Sequence, residues 1–224
     1  MGEGKCMRYL AIGDGICAGN GAPFFSPGCI QRHARMSEEI LRERVHVRIF
    51  ARENYQSNDI LELIDTPNVH QAIKQSQIIV LSAGQQDFIH AIEKFNENNN
   101  KDELNHAFNK CRRNVDDIIF KIRELKDEDR KKHMLIVFGL HNPYPDHRNA
   151  EKWVRRYNSH LECRGNIRCV HSVNLHNCLK DNLDAWCTRG YHYPNHIGHI
   201  EIAKQLHEVG YQPLLSDKKE DENK

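Results

Sequence analysis

A chain of 224 residues is long enough to bury a substantial core in one ordinary domain. Its 32 Lys and Arg against 31 Asp and Glu leave a formal charge of +1, which excludes the broad basic field that nucleic-acid binding needs. No apolar run approaches the roughly 20 residues that span a bilayer, so a soluble, cytoplasmic protein without a transmembrane segment is expected. The eight cysteines form no C-x-x-C pair and fall within apolar-periodic segments, as reduced thiols rather than a disulfide framework would.

In chain order, "MRYLAI" (7–12) and "VHVRIF" (45–50) are apolar runs of strand length. Ser57 can cap a helix over "NDILELI", ended at Thr66-Pro67. "QIIVLSA" (77–83) and, later, "HMLIVFG" (133–139) are nearly continuous in aliphatics, as strands covered on both faces of a parallel sheet are. Between them, "NENNNKDE" (96–103) predicts a polar loop. From Leu104 to Leu125, apolar residues recur at steps of three and four, which predicts a helix with one core face.

"HNPYPDH" (141–147), with Tyr144, Asp146 and His147, reads equally as a pocket wall and as a stiff loop. Trp153 and Tyr157, four apart, belong to the core side of the helix that follows. "IRCVHSV" (167–173) predicts a fifth strand, and "NHIGHIEIAKQLHEVG" a closing helix stopped at Gly210. Residues 1–215 thus form a single expected domain, with a polar disordered tail at 216–224. Strands alternating with helices predict an α/β fold, and ligands of such sheets bind beyond the carboxyl ends of the strands.

The segments at those ends carry a family likeness. "AIGDGICAG" resembles the first block of the SGNH (GDSL-type) hydrolases, Gly-Asp-Ser-Leu. "LSAGQQDF" is similar to their third block, Gly-x-Asn-Asp, and "GYHYPNHIGHIEIAKQL" to their last, Asp-x-x-His-Pro followed by a glycine and a helix. "FFSPGCIQRH", "FARENYQSNDIL" and "HNPYPDHRNAEKWVRRYNSHL" resemble the lipase/acylhydrolase branch of spore-forming bacteria, so the likeness runs from about Met7 to Tyr211. It implies a three-layer α/β/α sandwich around a five-stranded parallel, flavodoxin-like sheet.

The resemblance also implies a serine nucleophile, a histidine base, an orienting aspartate and oxyanion donors. Gly15 stands where the serine is expected, while Asp14 matches and is expected to hold the loop by hydrogen bonds. Glu53 or Asn54 replaces the glycine of the second block, and of these Asn54 takes a left-handed conformation more readily. Gln86 replaces the asparagine of the third, while Gly84 and Asp87 match. In the last block, one register puts Gly190 at the acid and Tyr193 at the base. The other keeps His192 as the base with Arg189 at the acid, so neither supplies a carboxylate.

Three readings follow. The first is a pseudoenzyme whose pocket, lined by Asp14, Gly15, Asn54, Gln86, His192 and Tyr193 and widened at Gly15, holds a small acyl, ester or lipid-like ligand, or a protein partner. The second is an active carboxylic-ester hydrolase with a relocated nucleophile, Cys17 with His192 as its base. The third, a zinc site on His192, His196 and His199, lacks a spaced outside ligand, so no metal or other cofactor is expected.

Overall fold

The structure, a computed structural model, describes residues 6–129, 132–164 and 169–215. Five strands, β1 (Cys6–Gly13), β2 (Arg44–Ala51), β3 (Ile78–Ser82), β4 (Met134–Phe138) and β5 (Val170–Val173), pair in parallel in the order β2-β1-β3-β4-β5. The helices are α1 (Gly15–Ala18), α2 (Cys29–Leu41), α3 (Ser57–Ile64), α4 (Pro67–Gln75), α5 (Gln85–Asn98), α6 (Lys101–Asp129) and α7 (Arg148–Arg164). They continue with α8 (Leu175–Leu179), α9 (Leu183–Trp186), α10 (His196–Glu208) and α11 (Gln212–Leu215).

The period-two alternation of the strands splits the apolar residues between two cores. Leu10, Ile12, Ile79, Leu81, Leu135 and Val137 face α3 to α7. Tyr9, Ala11, Ile78, Val80, Ile136 and Phe138 face α2, α8 and α10. This is the expected three-layer arrangement of flavodoxin-like order. The helical period expected from 104 to 125 is also observed, since Phe108, Cys111, Val115, Ile118, Ile122 and Leu125 are all buried on one side of α6.

Three local expectations are corrected. Gln56, not Ser57, caps α3: the Asp59 carboxylate accepts the Gln56 N–H at 2.9 Å, and Ser57 is the first helical residue. Ser57 turns instead to Asp87, giving it both N–H and hydroxyl at 2.7 Å. The loop expected over 96–103 shrinks to Asn99 and Asn100. Asn99 takes the left-handed conformation that ends α5, and the Asn100 side chain caps α6 by accepting from the N–H groups of Asp102 and Glu103 at 3.0 and 3.2 Å. The fifth strand begins at Val170; residues 165–168, like the expected tail at 216–224, lie outside the described residues.

Candidate functional site

The strand order reverses between β1 and β3, so their carboxyl ends open the crevice where this class of sheet binds ligands. From β1 the chain turns sharply at Gly13, and the Asp14 N–H donates to the Ser82 hydroxyl at the end of β3, 3.1 Å away. Asp14 then caps α1, accepting from the Ile16 N–H at 3.3 Å. Its other oxygen is buried and has no hydrogen-bond partner among the described residues. Burial pushes the carboxyl up to about 6, against the pull of the Ser82 hydroxyl and the Ile16 amide.

Gly15 opens α1 directly under the ring of Tyr193. A Cβ placed on Gly15 would lie 2.6 Å from Tyr193 Cε1 and 3.4 Å from Asn20 Cγ. The expected widening at Gly15 is therefore corrected: the aromatic ring fills the space that a side chain at 15 would enter. Tyr193 is held there by a tight loop, since its carbonyl accepts from the Thr188 N–H at 2.8 Å and Pro194 bridges Cys187. Burial, then the charge of Glu53, pushes its hydroxyl up to about 12.

The two registers of the last block separate in space. Tyr193 is the residue over Gly15, whereas the His192 ring packs edge-on to Tyr144 with centroids 5.9 Å apart. Gly190 has a φ of +85° with open space around its missing Cβ. Cys17 is fully buried among Cys29, Ile30 and the α2 side of the sheet. Burial holds its thiol well above the usual range, the reverse of what a nucleophile needs. No hydrogen bond joins Cys17 to His192 among the described residues.

In the second block, neither Glu53 nor Asn54 adopts a positive φ, so that turn does not use the left-handed conformation expected of Asn54. Gln86 is buried at the start of α5, its amide 3.0 Å from His90 Nε2, and the Gln56 amide lies 3.2 Å from His90 Nδ1. A neutral imidazole accepts at one nitrogen only, so one of the two glutamines presents its carbonyl oxygen to the ring.

The histidine triplet does not converge. His199 is buried with both nitrogens engaged: Nδ1 accepts from the Cys29 N–H at 3.1 Å, leaving Nε2–H to donate to the Asn20 carbonyl at 2.9 Å. His196 bonds Ser26 at 2.7 Å. No group of three or more His, Cys, Asp or Glu among the described residues is arranged to hold a metal ion. In the 141–147 loop, His147 caps α7 and bonds Asn96 at 2.8 Å, and Asp146 is exposed. Trp153 and Tyr157 are core, with the Tyr157 hydroxyl donating to the Ala83 carbonyl at 2.7 Å.

A cavity of about 660 Å³ opens beside this cluster between α5 and the first turns of α6. Gln56, Asp87 and His90 form its inner end, and Phe95, Leu104 and Ala107 supply an apolar wall. Sequence reasoning missed it, along with His90 and Gln85. The Gln85 side chain exchanges two 3.2 Å hydrogen bonds with the His141 backbone and so ties the β3 and β4 loops together. The cavity depends on the angle between two helices, for which periodicity carries no signal.

No protein-family model matches the chain. It is 26% identical over 208 residues to the spore germination lipase LipC of Bacillus licheniformis, covering 93% of this chain and 98% of that protein. The lipase Lip_vut3 from a goat rumen metagenome superposes with a TM-score of 0.87 at 25% identity, covering 92% of this chain and 98% of that one. The acetylxylan esterase Axe2 of Geobacillus stearothermophilus shares the fold at a TM-score of 0.71 and 14% identity, over 94% and 97% of the two chains. No described helix is long and apolar enough to cross a membrane. In sheet order and motif positions the chain resembles the SGNH (GDSL-type) hydrolases, and over nearly its whole length it is similar to these lipases.

Proposed function

We propose that this chain is a pseudoenzyme that keeps an acyl- or ester-binding crevice and has lost the serine chemistry of its family. One observation carries the reading: the nucleophile position is a glycine, and the Tyr193 ring occupies the space above it. An acyl-enzyme needs an oxygen or sulfur that projects beside a base, and Gly15 offers neither. The lipase relatives support an ester or lipid-like ligand, and the apolar wall of the 660 Å³ cavity suits an acyl chain. Gln56 and His90, which line it, supply the polar groups for an ester carbonyl, and His90 links them to Gln86. A protein partner is the other occupant of this crevice.

The rival reading is an ester hydrolase built on Cys17 and His192, and it requires a thiol that burial keeps protonated. Assays with short- and long-chain acyl esters on wild type, Cys17→Ala and His192→Ala separate the two. A flat baseline across all three, with saturable binding of a fatty acyl analogue that stays non-covalent, is the expected result. A robust rate lost in either variant, or an acyl group attached to the chain after incubation with an activated ester, overturns the proposal.

A further inference from the structure

Phe24 and Phe25 stand at the apex of the loop between α1 and α2, 93% and 95% exposed. Their rings pack edge-to-face on each other, with centroids 4.9 Å apart. Two adjacent aromatics left this bare face a standing penalty in water, and the loop is not slack enough to fold them away. His199 clasps its two ends through the Asn20 carbonyl and the Cys29 N–H. Ser26 bonds His196 at 2.7 Å, and Arg32 holds the Pro27 carbonyl at 2.9 Å and the Ser26 hydroxyl at 3.0 Å. Ile197, 46% exposed at the start of α10, follows His196, which anchors this loop.

The charged side chains within the two segments that build this tip are arginines. Neither the segment from Gly15 to Ser37 nor that from Ala185 to Ile200 contains an Asp or Glu, while together they carry Arg32, Arg35 and Arg189. The two segments pack together: a Cβ on Gly21 would meet the Pro194 carbonyl and Thr188. The neighbouring carboxylate of Asp184 is engaged by the Tyr191 hydroxyl, and Glu53 is close enough to Tyr193 to act on its hydroxyl.

From this geometry we propose that the Phe24–Phe25 tip docks the protein on an anionic lipid surface. The rings enter the headgroup layer, and Arg32, Arg35 and Arg189 meet lipid phosphates. A projecting pair of rings inside a cationic collar suits a soft, negatively charged interface better than the flat, broad patch of a protein–protein contact. Asn20, in the same loop, borders Gly15, so docking would turn the crevice toward the membrane. The inference rests on the exposed loop alone and holds whether or not the crevice is catalytic.

The test is co-sedimentation of the full chain with vesicles of equal parts phosphatidylglycerol and phosphatidylcholine, and with phosphatidylcholine alone. The wild type is expected to bind the anionic vesicles, less so as salt rises. The double variant Phe24→Ser/Phe25→Ser should lose about tenfold or more in partitioning, and Arg35→Gln/Arg189→Gln several-fold, both with unchanged circular dichroism. All four substituted side chains are exposed, so folding is spared. Absence of wild-type binding, equal binding to phosphatidylcholine alone, or undiminished binding of the serine variant would overturn the proposal. So would a wild-type dimer that the serine variant dissolves, since the tip would then be a self-association surface. None of these readouts involves ester hydrolysis, so they stand or fall apart from the proposed function.

Discussion

Gly15 and Tyr193 are a matched pair: a hydrogen under a ring. Installing only a serine with Gly15→Ser forces the ring aside, and because a tyrosine side chain can swing outward, the expected cost is about 1 kcal/mol, at the low end for overpacking. Tyr193→Ala should relieve most of that cost, and a double-mutant cycle by urea denaturation would show a coupling of about 1 kcal/mol. Independent, additive effects would mean that the ring does not occupy the space. Asp14 carries a pH signature. Its folded carboxyl titrates near 6, above the ordinary 3.8, so the native state holds that proton more tightly. The stability it contributes is complete below about pH 4 and is lost as pH rises through about 6, a fall of about 3 kcal/mol. Asp14→Asn, which keeps the capping oxygen, should remove that fall from the pH dependence of unfolding; an unchanged profile would place the titration elsewhere.

Among the elements, α4 depends on a distant lysine. Lys126, buried on α6, donates to the carbonyls of Lys74 and Ser76 at 2.8 Å each, at the end of α4. Lys126→Met keeps the length of the side chain and strands those acceptors, for an expected loss of about 1–3 kcal/mol in thermal or chemical unfolding. The existence of α6 was legible because its apolar residues repeat at helical spacing. The cation that α6 sends to α4 was not, since a lysine within a charged sequence has no mark of burial. The junction of α5 and α6 was misjudged for a related reason. Four asparagines within 96–103 suggest a loop by composition, yet here Asn98 accepts from the Asn100 N–H at 2.9 Å and Asn100 caps the next helix, so these side chains shorten the break.

For the whole molecule, five strand-length runs and the blocks at their ends were enough to anticipate the sheet and the edge that carries the crevice. Parallel strands covered on both faces leave a strong apolar signal. The contents of the crevice were less legible, because Tyr193 filling the space at Gly15 is a contact between residues 178 positions apart, and only the folded chain reveals it. Reversal is tested at this scale: Gly15→Ser, Gly190→Asp and Tyr193→His together should restore measurable esterase activity over the single variants. Gly190 sits at a φ of +85°, which aspartate tolerates better than most residues. A folded triple variant with no esterase activity would show that more than these three positions separates the crevice from a working site. The His199 clasp, finally, bears on how the chain meets proteases. A ten-residue span with two bare phenylalanines ought to be cut first by chymotrypsin, but a protease must draw its substrate into an extended strand, and with both ends of the span pinned, cleavage there should wait on the opening of α10.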